Sequence, residues 1–424
     1  MLTYGALTAQ TGILNVKDFG AKGDLKTDDS DAIQKAIDAT AWTMGDPSQI
    51  RPVTVFFPPG HYLVRKTLKI RHENKNLTLV GAGSVSPYGG LPGDDARPLP
   101  PGGTPSTPVP FGPTQLIWGG AEGGTLLEWT SADGVVLRHL ALIGSDKAGT
   151  LLSINSAPGT GSGLGTLERC LFTRARIGIE CGQNGINANA ADLTLTDLMF
   201  FDLGVGFKTT QSQNVDYCFI RPMAFACGCA LWFAQGGSAD VYSLATRRTP
   251  LVIRIDGGGI QNGTFHFSNL RVDVNSVGTN VLGGNPWSHE YPARPVVLLA
   301  KGEVNVKFTS LCVMGERRDR ETPIFSLDTH AQVSVESSML SGPVAVLRGK
   351  AGNLPTWIQF DQCRFRMGAD PREILCDEFS GYELRNCSVT VEADPSKGNY
   401  APIEKTFIPS LSRLPTRLTH PPAK

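Results

Sequence analysis

From residue 135 onward one pattern of apolar and polar positions recurs: an alternating run, a small polar residue, then an apolar one. It reads "VVLRHLAL" at 135, "LTLTDLMF" at 193, "FHFSNLRV" at 265, "VKFTSLCV" at 306, "VSVESSML" at 333, "IQFDQCRF" at 358 and "YELRNCSV" at 382. Weaker copies are "LERCLFTR" at 167, "VDYCFIRP" at 215 and "VYSLATRR" at 241. Alternation predicts short strands. Successive starts at 193, 215, 241 and 265 lie 22, 26 and 24 residues apart, the period of one solenoid coil. A strand pair of this length cannot bury its apolar face alone, so coil must stack on coil. The polar column Asp197, Asn269, Ser310, Ser337, Gln362 and Asn386 is then predicted to stack at turns, its side chains bonding backbone groups freed by the bend.

The N-terminal region departs from this pattern. Ile33, Ala36, Ile37 and Ala41 fall at helical spacing after Thr27, Asp28, Asp29 and Ser30, which predicts one amphipathic helix over 28–41. Its acidic start favours the positive helix end, with Asp28 and Asp29 as the cap pair and Asp31 in the first turn. "VTVFFPPGHYLV" at 53–64 reads as two strands hinged at Pro58, Pro59 and Gly60, and "LTLVGAG" at 77–83 as a third. Residues 84–114 are crowded with glycine and proline and read as a long loop. Pro409, Pro415, Pro421 and Pro422 keep the tail from continuing the coils as a central strand. The expected division is therefore 1–83, cap and first coils; 84–114, loop; 115–395, solenoid; 396–424, extended tail.

Composition narrows the function classes. The 39 basic residues balance 39 acidic ones, which leaves no electrostatic case for nucleic acid or for an anionic membrane surface. The longest run without a polar side chain, "MAFACGCALWFA" at 223–234, is too short to cross a bilayer, so no membrane insertion is expected. "MLTYGALTAQTG" lacks a basic start and a long apolar stretch, so secretion would be signal-independent or follow removal of a leader. The nine cysteines include no CxxC spacing and are read mostly as small core residues.

Asn15, Val16, Asp18, Phe19, Gly20, Ala21, Gly23, Asp24, Thr27, Asp28, Asp29, Ala32, Ile33, Gln34, Ala36 and Ile37, followed by Val55, Phe57, Pro58, Pro59, Gly60, Tyr62, Leu63 and "LTLVGAG", carry a resemblance. This segment resembles the opening module of the pectate-lyase-like superfamily, which includes polygalacturonase-related proteins and phage tailspikes. The resemblance implies an all-β fold, a right-handed single-stranded parallel β-helix of about ten coils with an N-terminal capping α-helix. It also implies a polysaccharide partner, an extracellular or virion-associated setting, and a homotrimer where the chain is tailspike-like.

The family's local signatures are mostly missing. The only adjacent aspartates, Asp28-Asp29 and Asp94-Asp95, lie outside the repeats, and there is no GHG. "RTPLVIR", Arg248 to Arg254, is one residue longer than a lyase RxPxxR pattern, which turns Arg254 to the opposite strand face. "DPRE", Asp370 to Glu373, has Arg372 where an epimerase DPHE carries histidine.

Candidate chemistry therefore rests on clustering, and the richest zone is 216–294. Asp216, Asp240, Arg248, Arg254, Asp256, His266 and Asp273 are the catalytic candidates; Tyr242, Arg247, Arg271, Trp287, His289, Glu290 and Tyr291 are the substrate-binding ones. Arginines and His266 would serve a lyase, taking the proton α to a uronate carboxylate and neutralising the enolate. Aspartates from neighbouring coils would serve a glycoside hydrolase. A non-catalytic glycan-binding or structural virion or surface protein stands as the alternative. Trp232 is read as core, and His266, between Phe265 and Phe267, as pointing outward. "ERRDRE" at 316–321 is read as a charged turn. No cofactor is expected; calcium at the Asp24 to Asp31 run is the remaining option, although the spacing lacks the alternation and terminal Glu of an EF-hand loop.

Overall fold

The computed structural model describes residues 12–42, 53–83, 85, 112–157, 160–182, 189–211, 213–257, 263–273, 287, 295–314, 322–349, 355–366, 371–391 and 404–416. The expected loop over 84–114, apart from Val85 and 112–114, and the "ERRDRE" turn lie outside them.

The chain winds as a parallel β-solenoid of about ten turns. Coils contribute strands to three columns, and within a column strands of successive coils pair in parallel. The first column runs through Leu193–Thr196, Tyr217–Ile220, Ser238–Tyr242, Gly263–Ser268, Val304–Thr309, Ala331–Glu336 and Thr356–Asp361. The second includes Met223–Phe225, Ala245–Arg247 and Arg271–Asp273. In the third, Thr150–Asn155 is followed by the C-terminal part of Leu171–Cys181, then that of Met199–Thr210, then Cys229–Gln235, Leu251–Ile255 and Val297–Leu299.

The expected polar column marks the bend between the first and second columns. Asp197, Asn269, Ser310, Ser337, Gln362 and Asn386 all adopt left-handed φ, from 49° to 59°. His139, Arg169, Arg221 and Ser243 continue the same column in the other copies. The bonding differs from expectation, because the backbone does the work. Up to Gln362 the amide of the bend residue donates to the carbonyl closing the next coil's strand, as in Asp197 to Ile220, Asn269 to Thr309 and Ser310 to Glu336. A short polar side chain is favoured there because Asn, Asp and Ser tolerate the left-handed region better than β-branched or bulky apolar residues.

Inside, alternate residues of each strand pack coil on coil. A run of phenylalanines forms the spine, with Phe207–Phe233 centroids 6.1 Å apart, Phe233–Phe265 4.9 Å and Phe267–Phe308 5.1 Å. Phe265 and Phe267 are fully buried and His266 faces outward, as alternation predicts. Six cysteines, Cys170, Cys181, Cys227, Cys229, Cys363 and Cys387, are buried as free thiols.

At the N-terminal end the helix Ser30–Asp38 packs Ile33, Ala36 and Ile37 into the core and rests against the strand Leu68–Ile70. The acidic run holds backbone, with one change from the expected cap pair. Asp28 accepts from the Ser30 amide, at 3.1 Å, and from its hydroxyl. Asp29 occupies the cap position but makes no cap bond; its carboxylate turns back to accept from the Lys22 and Gly23 amides at 2.6 and 3.0 Å. Gly23 takes a left-handed φ of 65°, and a Cβ added there would come within 3.1 Å of the Tyr62 ring. Asp24 accepts from the Lys26 and Thr27 amides, and Asp31 pairs with Lys66. Among the described residues no group of three His, Cys, Asp or Glu could hold a metal ion. At the other end Glu404–Arg413 lies antiparallel on Ser380–Val391. Pro409 is tolerated there because this strand is an edge.

Candidate functional site

The candidate zone separates onto three faces. Asp216, Asp240, Tyr242 and His266 belong to the first column: Asp216 bonds the Ser238 hydroxyl at 2.6 Å, Asp240 lies 3.7 Å from His266 Nδ1, and Tyr242 meets the His266 ring edge-on at 6.3 Å. Arg247, Arg271 and Asp273 belong to the second, where Arg247 and Asp273 stand in register 4.0 Å apart. Arg248 occupies the bend from second to third column at φ 54°, its guanidinium 5.6 Å from the Phe225 ring centroid. Arg254 and Asp256 belong to the third column. His289, Glu290 and Tyr291 lie outside the described residues. Trp287 packs at Gly204, where an added Cβ would approach its own Cβ to 3.1 Å.

The most organised of these faces is the third column. Register aligns Ser153, Glu180, Lys208, Trp232 and Arg254 on successive coils, all on the outward phase of their strands. Trp232 is therefore a surface residue and not core, because the apolar run 223–234 is broken by a bend into Met223–Phe225 and Cys229–Gln235. Phe233 takes the inward position beside it.

The contacts along this row are dense. Lys208 Nζ is 3.0 Å from Glu180 and 5.1 Å from the Trp232 centroid. Arg254 stands 4.3 Å from that centroid and forms a two-point pair with Asp256, both contacts at 2.8 Å. The Trp232 indole NH donates to Asp256 at 2.9 Å. Glu180 has 6% of its side chain exposed and Asp256 12%, against 20% for Lys208 and 24% for Arg254. Sunken carboxylates thus hold the more accessible cations in place, which orients them before any ligand arrives. Beside the charged row runs an apolar one, Ile177, Val205, Cys229 and Leu251, a cluster separate from the core and joined by Trp232 and Leu298.

The rim of this face, at the bend from the second column, holds a buried ion cluster. Arg174 forms a two-point pair with Asp146, its Nε at 3.0 Å, and lies beside Asp202 on the next coil. Burial pushes the Asp202 carboxyl up to about 7 despite the Arg174 charge, and burial also lowers Arg174. Glu180, Lys208, Asp146, Arg174 and Asp202 are missed by reading the sequence alone. Their signal is weak because Leu171–Cys181 and Met199–Thr210 turn a corner mid-strand and so lose simple alternation.

Comparison with known proteins bears on what such a face does. Residues 13–88 match the family described as rhamnogalacturonase A/epimerase, pectate lyase-like. That match covers the N-terminal module, and the stacked coils beyond it share the parallel β-helix architecture of the pectate-lyase-like superfamily. Alginate lyase 7 of Azotobacter vinelandii is 58% identical over 50 residues, a match covering 12% of this chain and 5% of that protein. Over longer spans only the architecture is shared. The mannuronan C-5 epimerase AlgE4 A-module of A. vinelandii gives a TM-score of 0.54 at 16% identity, over 84% of this chain and 88% of that one. The N-terminal fragment of bacteriophage Phi29 gene product 12 gives 0.53 at 14% identity, over 91% of this chain and 68% of that one.

Proposed function

We propose that this β-helix protein is a polysaccharide lyase whose acidic glycan lies along the third column. The observation that carries the reading is the spacing of the two accessible cations. Lys208 and Arg254 are two coils apart on one row, about 10 Å at the interstrand spacing of a sheet. An extended uronan chain turns every second carboxylate to the same side, so a chain parallel to the solenoid axis presents two carboxylates to these two cations. In β-elimination a base takes the proton α to a carboxylate, fixed cations stabilise the enolate, which is the role of Lys208 and Arg254, and the enolate collapses to a carbon–carbon double bond as the glycosidic C–O bond breaks and its oxygen leaves with a proton. The alginate lyase among the relatives is consistent with an acidic substrate.

Incubation with polymannuronate, polyguluronate and polygalacturonate tests the proposal. Ultraviolet absorbance from unsaturated ends should rise with at least one of them, and Lys208→Ala and Arg254→Ala should each cut the rate at least a hundredfold. New reducing ends without that absorbance would make the protein a hydrolase, and binding without either product would leave only the glycan-binding reading.

A further inference from the structure

The outer face of the first column carries a second cleft, on different coils and with different chemistry. It has a volume of about 430 Å³ and is lined by His266, Asn305, Lys307, Gln332, Ser334 and Trp357, drawn from four successive coils. We propose that this cleft is a second saccharide-binding site, separate from the acidic-glycan face, which takes a neutral hexose chain laid along the solenoid axis.

Three observations carry the inference. Lys307 pairs with Glu336 at 2.9 Å, Ser334 donates to the same carboxylate at 3.3 Å, and His266 lies 3.7 Å from Asp240. The lining is otherwise rich in groups that both donate and accept, Asn305, Gln332 and the Ser334 hydroxyl, which match sugar hydroxyls. The register places Thr264, Asn305, Gln332 and Trp357 in one line, one residue per coil. Coils advance about 4.8 Å each, close to the advance per residue of an extended pyranose chain, so successive sugars would meet successive members of the line.

The third observation is Trp357, the aromatic end of this line. Its strand alternates buried Ile358 and Phe360 with the outward Trp357 and Gln359, so the indole is at the surface by register. It extends over Gly381 on the next coil, where an added Cβ would come within 2.5 Å of the ring. An indole lying over a glycine keeps a face for a sugar ring, and the volume falls within the range of small-ligand clefts. Gln332 is fixed by donating to the Pro355 carbonyl at 2.9 Å, so the amide is oriented in advance.

Native electrophoresis through gels containing a soluble β-1,3-glucan, a galactomannan, dextran or polygalacturonate tests this directly on the full chain. The protein should be retarded in at least one neutral-glycan gel, and the double variant Lys208→Ala/Arg254→Ala should be retarded equally. Trp357→Ala and Gln332→Ala should each weaken that retardation at least tenfold. Gln332 is on the surface, so its variant reads the site even if Trp357→Ala fails to fold. The proposal is overturned if no neutral glycan retards the protein, if only polygalacturonate does, or if Gln332→Ala migrates as the parent does. Failure of the lyase assay leaves these outcomes untouched, since no turnover is measured.

Discussion

Asp202 concentrates the tension between charge and burial in this molecule. Its side chain is 3% exposed, and the cost of ionising there lifts its carboxyl from 3.8 to about 7. The consequence for stability has a definite sign. Below about pH 4 the group is protonated whether the chain is folded or unfolded. Between about pH 4 and 7 the unfolded chain releases the proton and the folded chain retains it, so stability falls as pH rises, by about 1.4 kcal/mol per unit at most, and the loss is complete above 7. Asp202→Asn removes the ionisation while keeping the shape. Thermal melts should therefore show the variant gaining on the parent from pH 4 to pH 8, with the two closest at the acid end. A difference that stays flat across this range would mean that Arg174 holds the carboxylate ionised throughout.

Among the elements, the helix Ser30–Asp38 shows how one type of side chain serves different tasks within a few positions. Asp29 is buried and is the acceptor for two turn amides, so Asp29→Ala should cost about 2 kcal/mol for the donors left behind. Asp31 and Lys66 are 68% and 63% exposed, and Asp31→Ala should leave the denaturation midpoint where it was. Chemical denaturation of both variants separates the two cases, and equal midpoints would show that the Gly23 turn holds without its anchor. The helix, the strands Thr54–Phe57 and Gly60–Val64, and the bend column are legible in sequence because local periodicity and left-handed preference fix them. The candidate site is legible only in fragments. Arg254 and Asp256, named from sequence, lie on the third column, but whether two residues share a face depends on register between coils and on where a strand bends. Trp232 shows the difficulty: it sits in an apolar run that reads as core until the bend at Ala226 divides it.

At the scale of the whole molecule, a solenoid has two open ends, and each exposes backbone that would pair with another chain. The last coil offers the 12-residue strand Ser380–Val391, long enough to template a neighbour. Here Glu404–Arg413 occupies that edge in antiparallel register, from Tyr382 opposite Arg413 to Val391 opposite Glu404. Ile408 and Leu411 turn toward the core and cover it, while Phe407, 60% exposed, faces water. Pro409 removes one amide from the new outer edge, so the covering strand is itself a poor template. If this strand guards the end, a chain ending at residue 403 should keep its coils but associate through the uncovered strand. Light scattering should then report concentration-dependent growth in mass for the truncated chain beyond whatever assembly the full chain forms. Restoring the strand with Ile408→Asp and Leu411→Asp should reproduce the growth, because the backbone match alone would have to hold without its apolar contact. Equal masses for all three proteins would show that Ser380–Val391 needs no cover, and that twist and its own polar residues are enough to keep the coil end single.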